Sequence, residues 1–101
     1  MNEIIISEGC FGQDVTIDGE SLFIHEYDNR DPKMIEDLQD KLLNKLTELK
    51  QGLGMNDWAE IAKWVVQLSG EYEYNTERSD DGDSCNQCGN YNWTEVYEKK
   101  N

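Results

Sequence analysis

Residues 14–27 have the sequence DVTIDGESLFIHEY, which is divided in two by the pair Asp18-Gly19. Polar and apolar side chains alternate over residues 14–17, as they do in a strand with one buried face. Asp-Gly is the favoured pair for a two-residue type I′ hairpin turn. The stretch therefore predicts a hairpin in which a strand over residues 14–17 is followed by a return strand over residues 20–27.

Upstream of this hairpin, the sequence EIIIS at residues 3–7 predicts another strand. Ile4 and Ile6 share one face of that strand and Ile5 lies on the other, because side chains alternate along a strand. The segment 8–13 contains two glycines, which permit a turn. We therefore expect the chain to open with a three-stranded antiparallel meander.

Downstream of the hairpin, Asp31 and Pro32 predict the start of a helix. Aspartate is a good N-cap because its carboxylate accepts a hydrogen bond from a backbone N–H that the helix leaves free, and proline suits the first helical position. Apolar residues then recur every three or four positions, which is the period of a helix with one buried stripe. They are Ile35, Leu38, Leu42, Leu46, Leu49 and Leu53, and we expect Gly52 and Gly54 to end the helix.

A second helix is predicted to begin at Asn56 or Asp57, either of which can cap it, and to end at Ser69. Gly70 then supplies the usual C-terminal stop. We expect Trp58 and Trp64 to pack in the core or between the helices, with a partner-binding platform as the alternative. The apolar positions of this helix are Trp58, Ile61, Ala62, Val65 and Leu68.

Residues 71–76 and 91–98 alternate again and predict a second hairpin around a polar loop over residues 77–90. The acidic run at 80–84 lacks the twelve-residue spacing of an EF-hand, so we expect it to be a solvated part of that loop. Strands separated by a helical block favour an α+β fold, with an antiparallel β-sheet (approximately βββ-αα-ββ) and two helices packed on one face. Residues 1–98 are assigned to one compact domain and residues 99–101 to a short flexible tail.

Charge is the strongest compositional signal. The 101 residues carry a net charge of −13, distributed as −6 over residues 1–30, −2 over residues 31–70 and −5 over residues 71–101. Phosphate backbones and anionic membranes repel such a chain, so we expect neither direct nucleic-acid binding nor membrane binding. A protein partner with a basic surface fits the charge, and solubility alone is the alternative.

The cysteines and the N-terminal residues bear on the compartment. Three cysteines form an odd set, whereas small secreted domains usually pair an even number. Residues 1–7 lack the basic region of a signal peptide, and no apolar stretch approaches the roughly 20 residues of a transmembrane helix. We expect a cytoplasmic location and leave the oligomeric state open.

Most of the net charge falls in the strand and loop segments, so we expect the sheet face that the helices leave uncovered to be negative. Regularly spaced carboxylates resemble phosphates to lysine and arginine, so such a face can occupy a basic nucleic-acid-binding groove. The predicted function is that of a small acidic, non-enzymatic interaction or inhibitor protein, and small phage-encoded blockers of restriction or CRISPR nucleases are similar to it in composition. The predicted partner-binding residues are Glu71, Tyr72, Glu73, Tyr74, Trp93, Glu95 and Tyr97.

Cys85 and Cys88 have the CxxC spacing at which two thiolates bind one zinc ion. A tetrahedral structural site needs two further ligands, for which Cys10 and the single histidine, His25, are the candidates. A reduced turn without metal is one alternative. A redox pair is another, although redox cysteines usually begin a helix. The leading expectation has no cofactor, and a small zinc-stabilised accessory module is the alternative function.

Catalytic signatures are sparse in this sequence. No phosphate-binding glycine loop, GxSxG or HExxH motif occurs. In the predicted return strand His25 shares a face with Phe23 and Tyr27, while Glu26 points the other way and does not orient it for acid–base chemistry. We therefore do not expect an enzyme, and catalysis through His25 is kept only as a third alternative.

Overall fold

The computed structural model describes residues 1–10, 12–50, 57–84, 86, 89 and 91–100. In this part of the chain three strands precede two helices and three strands follow them, which confirms the α+β class. All strand pairings are antiparallel, in the order β3-β2-β1-β6-β4, with β5 also paired to β6. The elements are β1 (Glu3–Gly9), β2 (Gly12–Ile17), β3 (Glu20–Ser21), α1 (Pro32–Leu49), α2 (Trp58–Ser69), β4 (Tyr72–Tyr74), β5 (Asp80–Ser84) and β6 (Tyr91–Lys99).

The hairpin between β2 and β3 has the predicted turn. Asp18 and Gly19 have φ angles of 51° and 86°, and a type I′ turn requires positive φ at both central residues. The predicted return strand is wrong beyond Ser21, because β3 ends there. The Ser21 hydroxyl accepts a hydrogen bond from the Phe23 N–H, and Arg30 binds the carbonyl oxygens of both residues. These local contacts turn the chain away from β2.

Both helices begin as their local signals predict, and α2 also ends as predicted, whereas α1 ends at Leu49 with Lys50 as its C-cap. Asp31 caps α1 by accepting from the Lys33 N–H at 3.0 Å, with Pro32 in the first turn. Asp57 caps α2 by accepting from the Glu60 N–H at 2.8 Å. Gly70 ends α2 in the left-handed conformation, with φ of 66°. Residues 51–56, which hold the predicted Gly52 and Gly54 stop, Leu53 and the alternative cap Asn56, lie outside the described residues.

The core lies between the helices and one face of the sheet. Helix α2 packs on β1 and β2, and α1 packs against α2. Trp58 and Trp64 are half-buried against this core, as the packing interpretation predicts. The Lys50 ammonium lies 4.3 Å from the centroid of the Trp64 ring. The fully buried side chains are Ile4, Ile6, Val15, Ile17, Leu22, Leu42, Leu46, Ala62 and Val65.

The C-terminal part of the sheet differs from the prediction in one element. The predicted solvated loop over residues 77–90 contains β5, which pairs with the first half of β6. Gly82 permits this pairing, because a Cβ added there would lie 2.1 Å from the Asn92 carbonyl oxygen. The acidic run is thus an edge strand, a position at which charged side chains are tolerated.

Strand β6 continues through Lys99, one residue past the predicted limit of the domain. The Lys99 N–H donates to the Asn2 carbonyl at 2.8 Å, and the Lys100 N–H donates to the Glu71 carbonyl at 2.8 Å. Asn101 lies outside the described residues. Neither α1 nor α2 is long and apolar enough to cross a membrane, and these are the helices of the described ranges.

Candidate functional site

The two faces of the sheet differ in what covers them. Directly paired residues of antiparallel strands project to the same face, so the strand register assigns each side chain. Ile4 and Ile6 pair with Ile17 and Val15, and all four are fully buried toward the helices. We call this side the helix face and the opposite side, which carries Ile5 and its partner Thr16, the open face.

The tyrosines predicted for the uncovered face lie on the helix face. Tyr97 pairs with Ile4, and Tyr74 pairs with Tyr97. Tyr72 is buried, and its hydroxyl donates to the Met1 carbonyl at 2.6 Å. Burial, together with the Glu95 carboxylate that accepts from the Tyr97 hydroxyl, raises the pKa of Tyr97. The expectation that these tyrosines lie on the sheet face that the helices leave uncovered is therefore wrong.

Trp93 and Glu95 are also turned toward the helix face. Glu95 pairs with Ile6, and Trp93 pairs with Glu8. The Trp93 indole N–H donates to the Glu8 carboxylate at 2.8 Å, and the Lys63 ammonium of α2 lies 5.3 Å from the centroid of its ring. Glu71, before β4, lies 3.4 Å from Lys45 of α1. Of the predicted partner-binding residues, Glu73 is the one whose register places it on the open face.

Three carboxylates stand side by side on the open face. Glu98 of β6 pairs directly with Glu3 of β1 on one side and with Glu73 of β4 on the other. We call Glu3, Glu98 and Glu73 the acidic row. Neighbouring strands lie about 4.8 Å apart, and like charges directly opposite each other disfavour strand pairing. The row therefore destabilises the strand pairing locally. Such a cost is offset by other contacts or retained for a function.

Arg78 partly neutralises the row. Its guanidinium contacts Glu3 Oε1 and lies 3.5 Å from Glu98 Oε2. The hydrogen bond to Glu3 is the main reason that the pKa of Arg78 is raised, so the charge is retained. Among the ion pairs of the described residues none involves Glu73, although Lys99 and Lys100 line a depression together with Glu73 and Glu98.

The segment that connects β4 and β5 positions Arg78. The Asn75 N–H donates to the Val96 carbonyl at 2.8 Å, and the Ser79 hydroxyl accepts from the Val96 N–H at 2.9 Å. Between these anchors, the Arg78 N–H donates to the Asn75 side-chain oxygen at 3.0 Å. Residues 75–79 are thereby held against β6, and the arginine side chain crosses the open face of β6 to reach Glu3 on β1.

Two shallow depressions border the acidic row, and Glu73 and Glu98 line both of them. One has a volume of about 310 Å³ and is lined also by Asn2, Lys99 and Lys100. The other has a volume of about 370 Å³ and is lined also by residues 74–77. Each places a carboxylate within reach of a lysine or arginine side chain that enters from outside, and such charge-assisted hydrogen bonds are the strong ones.

His25 lies at the other edge of the open face, after β3 and not within a strand. Its Nε2 is 2.9 Å from the Ser21 hydroxyl and 3.3 Å from Asp14 Oδ2. The Ser21 hydroxyl also donates to Asp14 Oδ1 at 2.7 Å. A catalytic triad places the serine and the carboxylate on opposite ring nitrogens, whereas both contact Nε2 here. The three side chains form a hydrogen-bonded cluster whose geometry differs from that of a catalytic triad.

The loop that follows β3, residues 22–30, is organised by a second arginine. Arg30 donates to both carboxylate oxygens of Asp28, with a shortest distance of 2.7 Å, and lies 3.2 Å from Glu20 Oε2. The hydrogen bonds from Arg30 hold the pKa of Asp28 well below its usual range. Tyr27 has a φ angle of 68°, which costs an aromatic residue about 1–3 kcal/mol.

Two of the four predicted zinc ligands, Cys10 and His25, lie within the described residues. Cys85 and Cys88 lie outside the described residues. Cys10 lies in the turn between β1 and β2, with its sulfur 4.0 Å from the Asn92 side-chain nitrogen. Within the described ranges no group of three or more His, Cys, Asp or Glu side chains is arranged to hold a metal ion. His25 belongs to the separate cluster with Asp14 and Ser21.

Sequence reasoning missed Glu3, Glu98 and Arg78 as members of a site. Glu3 and Glu98 sit in alternating segments and were expected in strands, but the register between the two segments has no local signal. Arg78 lies in a polar stretch without alternation. A usable signal was its position as one of two arginines in an acidic chain, since arginine is the side chain that binds two carboxylates at once.

Comparison of the chain with protein-family models, curated proteins and solved structures found no match.

Proposed function

We propose that the protein acts by binding, and that its acidic row engages a basic surface on a protein partner. The observation that carries the proposal is the direct cross-strand alignment of Glu3, Glu98 and Glu73 on the open face. A single described guanidinium, that of Arg78, is shared by two of these carboxylates. The row therefore offers lysine or arginine side chains a surplus of negative charge at fixed positions.

The chemistry of the partner follows from this geometry. Carboxylates spaced by the sheet act as acceptors for guanidinium and ammonium groups, and complementary potentials speed association and select partners. A groove that normally binds nucleic acid has such groups at regular spacing. We therefore propose a non-enzymatic inhibitor or modulator that occupies a nucleic-acid-binding site. A cytoplasmic setting is part of the proposal.

The test uses a fluorescent oligolysine peptide as the basic probe, with anisotropy measured over a series of salt concentrations. Glu73→Gln combined with Glu98→Gln is expected to weaken binding by about tenfold and to flatten the salt dependence. The matched control is Asp37→Asn with Asp40→Asn, which removes the same charge from an exposed part of α1. An equal loss of affinity in both double variants would show that binding depends on the total charge of the protein. That result would contradict the proposed role of the acidic row.

A zinc-stabilised module is the second candidate, and the position of Cys10 favours it. Ser84 and Tyr91, which flank the CxxC segment, are paired on β5 and β6. Cys10 lies against Asn92, the next residue of β6. The turn between β1 and β2 thus brings Cys10 to the end of β5 and β6 that the CxxC segment connects. We propose Cys10 as a ligand ahead of His25.

Native mass spectrometry of protein prepared without chelator tests this second candidate. Zinc binding predicts an added mass of one zinc ion that EDTA removes, together with a loss of thermal stability. Cys10→Ser is expected to remove the added mass, whereas His25→Ala retains it. A metal-free mass before EDTA treatment, with a melting temperature that EDTA leaves unchanged, would eliminate the zinc module.

A further inference from the structure

Two large apolar side chains project into solvent from the loop after β3. The Ile24 side chain is 59% exposed, and the Tyr27 side chain is 89% exposed. Ile24 lines a groove of about 490 Å³ between the loop and α1, together with other apolar side chains, Glu36 and Gln39, and Tyr27 follows three residues later in the same loop. Exposed aromatic and aliphatic side chains next to an apolar groove are typical of a protein-binding surface.

The loop that carries these side chains is held in one conformation. Arg30 donates to the Ser21 carbonyl at 2.8 Å and to the Phe23 carbonyl at 2.9 Å. From α1, the Gln39 side-chain amide donates to the Leu22 carbonyl at 2.8 Å. Leu22 itself is fully buried, so the start of the loop is fixed in the core. A fixed loop loses little conformational entropy on binding, which favours affinity.

The conformation of Tyr27 is unfavourable for the folded chain on its own. Its φ of 68° lies in the left-handed region, which glycine adopts readily and bulky residues avoid. The residue exposes almost its entire side chain, so burial does not offset this cost. Strain that the surrounding contacts enforce is concentrated at sites of function.

The charges around the loop indicate the chemistry of what covers it. Glu36 lines the groove, Glu26 is exposed within the loop, and Asp31 is exposed directly after it. Of the two basic side chains between residues 22 and 31, Arg30 is paired with Asp28 and Glu20. The other, His25, contacts Asp14 and Ser21. An apolar surface with an acidic border fits a segment that carries apolar side chains beside lysine or arginine.

We propose that Ile24 and Tyr27 anchor a basic, amphipathic segment of a protein partner in the groove between the loop and α1. The surface lies at the β3 edge of the sheet, whereas the acidic row spans β1, β6 and β4. At about 4.8 Å per strand, the strand order separates the β3 edge from β1, β6 and β4 by about 10–20 Å. The inference rests on the proposed function in one respect, the basic character of the partner.

The experiment compares two peptides with equal numbers of lysines. One is oligolysine, and the other adds leucines at helical spacing so that one face is apolar. The unmodified protein is expected to bind the leucine-containing peptide about tenfold more tightly. Ile24→Ser and Tyr27→Gly should each remove about that advantage while leaving oligolysine binding unchanged. Leu68→Ser, at an exposed apolar position on α2, serves as the control and should retain the advantage.

Tyr27→Gly also separates a binding role from a structural one. Glycine adopts the positive φ without strain, so the melting temperature is expected to stay the same or rise while peptide affinity falls. A fall in both would assign Tyr27 to folding and overturn the inference. Equal affinity for the two peptides would overturn it as well, and so would self-association in sedimentation that Tyr27→Gly abolishes. If Glu73→Gln with Glu98→Gln leaves oligolysine binding unchanged, the proposed role of the acidic row is contradicted, and the inference about Ile24 and Tyr27 is not.

Discussion

Glu3 and Glu98 stand directly opposite each other on β1 and β6, and the Arg78 guanidinium contacts both carboxylates. Facing acids on neighbouring strands repel each other, so this arginine is part of what makes the central strand pair compatible with the acidic surface. The relationship joins stability to the candidate site, because the same carboxylates are proposed to receive a partner's basic side chains.

Replacement of Arg78 by glutamine is expected to lower the melting temperature at low salt. The carboxylates of Glu3 and Glu98 would then face each other without a counter-charge, and salt at about 1 M would screen most of the repulsion. Adding Glu98→Gln to Arg78→Gln should recover part of the loss, because it removes the repulsion between Glu3 and Glu98. The glutamine side-chain oxygen can still accept the hydrogen bond from Asn75. Thermal unfolding at two salt concentrations measures this, and a double variant less stable than Arg78→Gln would contradict it.

Substitution of Gly82 by alanine tests whether the acidic run is a strand. The added Cβ would lie 2.1 Å from the Asn92 carbonyl oxygen, so β5 must move away from β6. Gly19→Ala is the matched control, since Gly19 also has positive φ but open space around it. Both variants carry a backbone cost of about 1–2 kcal/mol. Hydrogen exchange should show lost amide protection over β5 and residues 91–94 in Gly82→Ala alone, and the same pattern in Gly19→Ala would argue against the pairing.

The interface between the helices and the sheet is expected to dominate stability. Leu46 of α1 is fully buried, so Leu46→Ala should reduce the free energy of unfolding by about 2–5 kcal/mol. Leu68 of α2 is 43% exposed, and Leu68→Ala should change it by no more than about 0.5 kcal/mol. Urea unfolding followed by circular dichroism compares the two. Similar midpoints for both variants would be inconsistent with the packing described here.

Tyrosine ionisation reports which residues face the helices. Burial raises the pKa of Tyr72 and Tyr97, so the folded state holds these protons more tightly than the unfolded state. The resulting stabilisation is complete below the unfolded pKa of about 10 and is lost as the pH rises through the folded values. Tyr72 and Tyr97 should therefore ionise late in a phenolate absorbance titration. Tyr72→Phe and Tyr97→Phe should each reduce the amplitude of the late ionisation. Ionisation of all tyrosines in a single step would contradict the prediction.

The elements that could be predicted from sequence are those with local signals. Asp31, Asp57 and Gly70 act on backbone groups within a few residues, and the Asp18-Gly19 turn follows from the backbone preferences of its own two residues. The end of β3 could not be predicted, because Arg30 binds the Ser21 and Phe23 carbonyls from further along the chain. Strand β5 could not be predicted either, since its pairing depends on β6 and its sequence has no apolar alternation.

The candidate site was harder to predict than the fold. Alternation shows that Tyr72 and Tyr74 share a face, yet it does not say which face the helices cover. Assembly of the acidic row depends on the register of β1 against β6. Neither segment contains a local sequence signal for its pairing with the other. The negative charge of the strand segments was visible from composition, whereas the identity of Glu3 and Glu98 as neighbours was not.

The pairing of β1 with β6 also has a consequence for synthesis of the chain. Ile4 pairs with Tyr97, so the two strands at the centre of the sheet are made at widely separated times. Until residues 91–99 leave the ribosome, one edge of β1 has no partner, and that strand contains three consecutive isoleucines. Unpaired apolar strands of this kind associate readily with other chains. We therefore expect release of β6, and not formation of the first hairpin or the helices, to end the period in which a nascent chain is prone to aggregate.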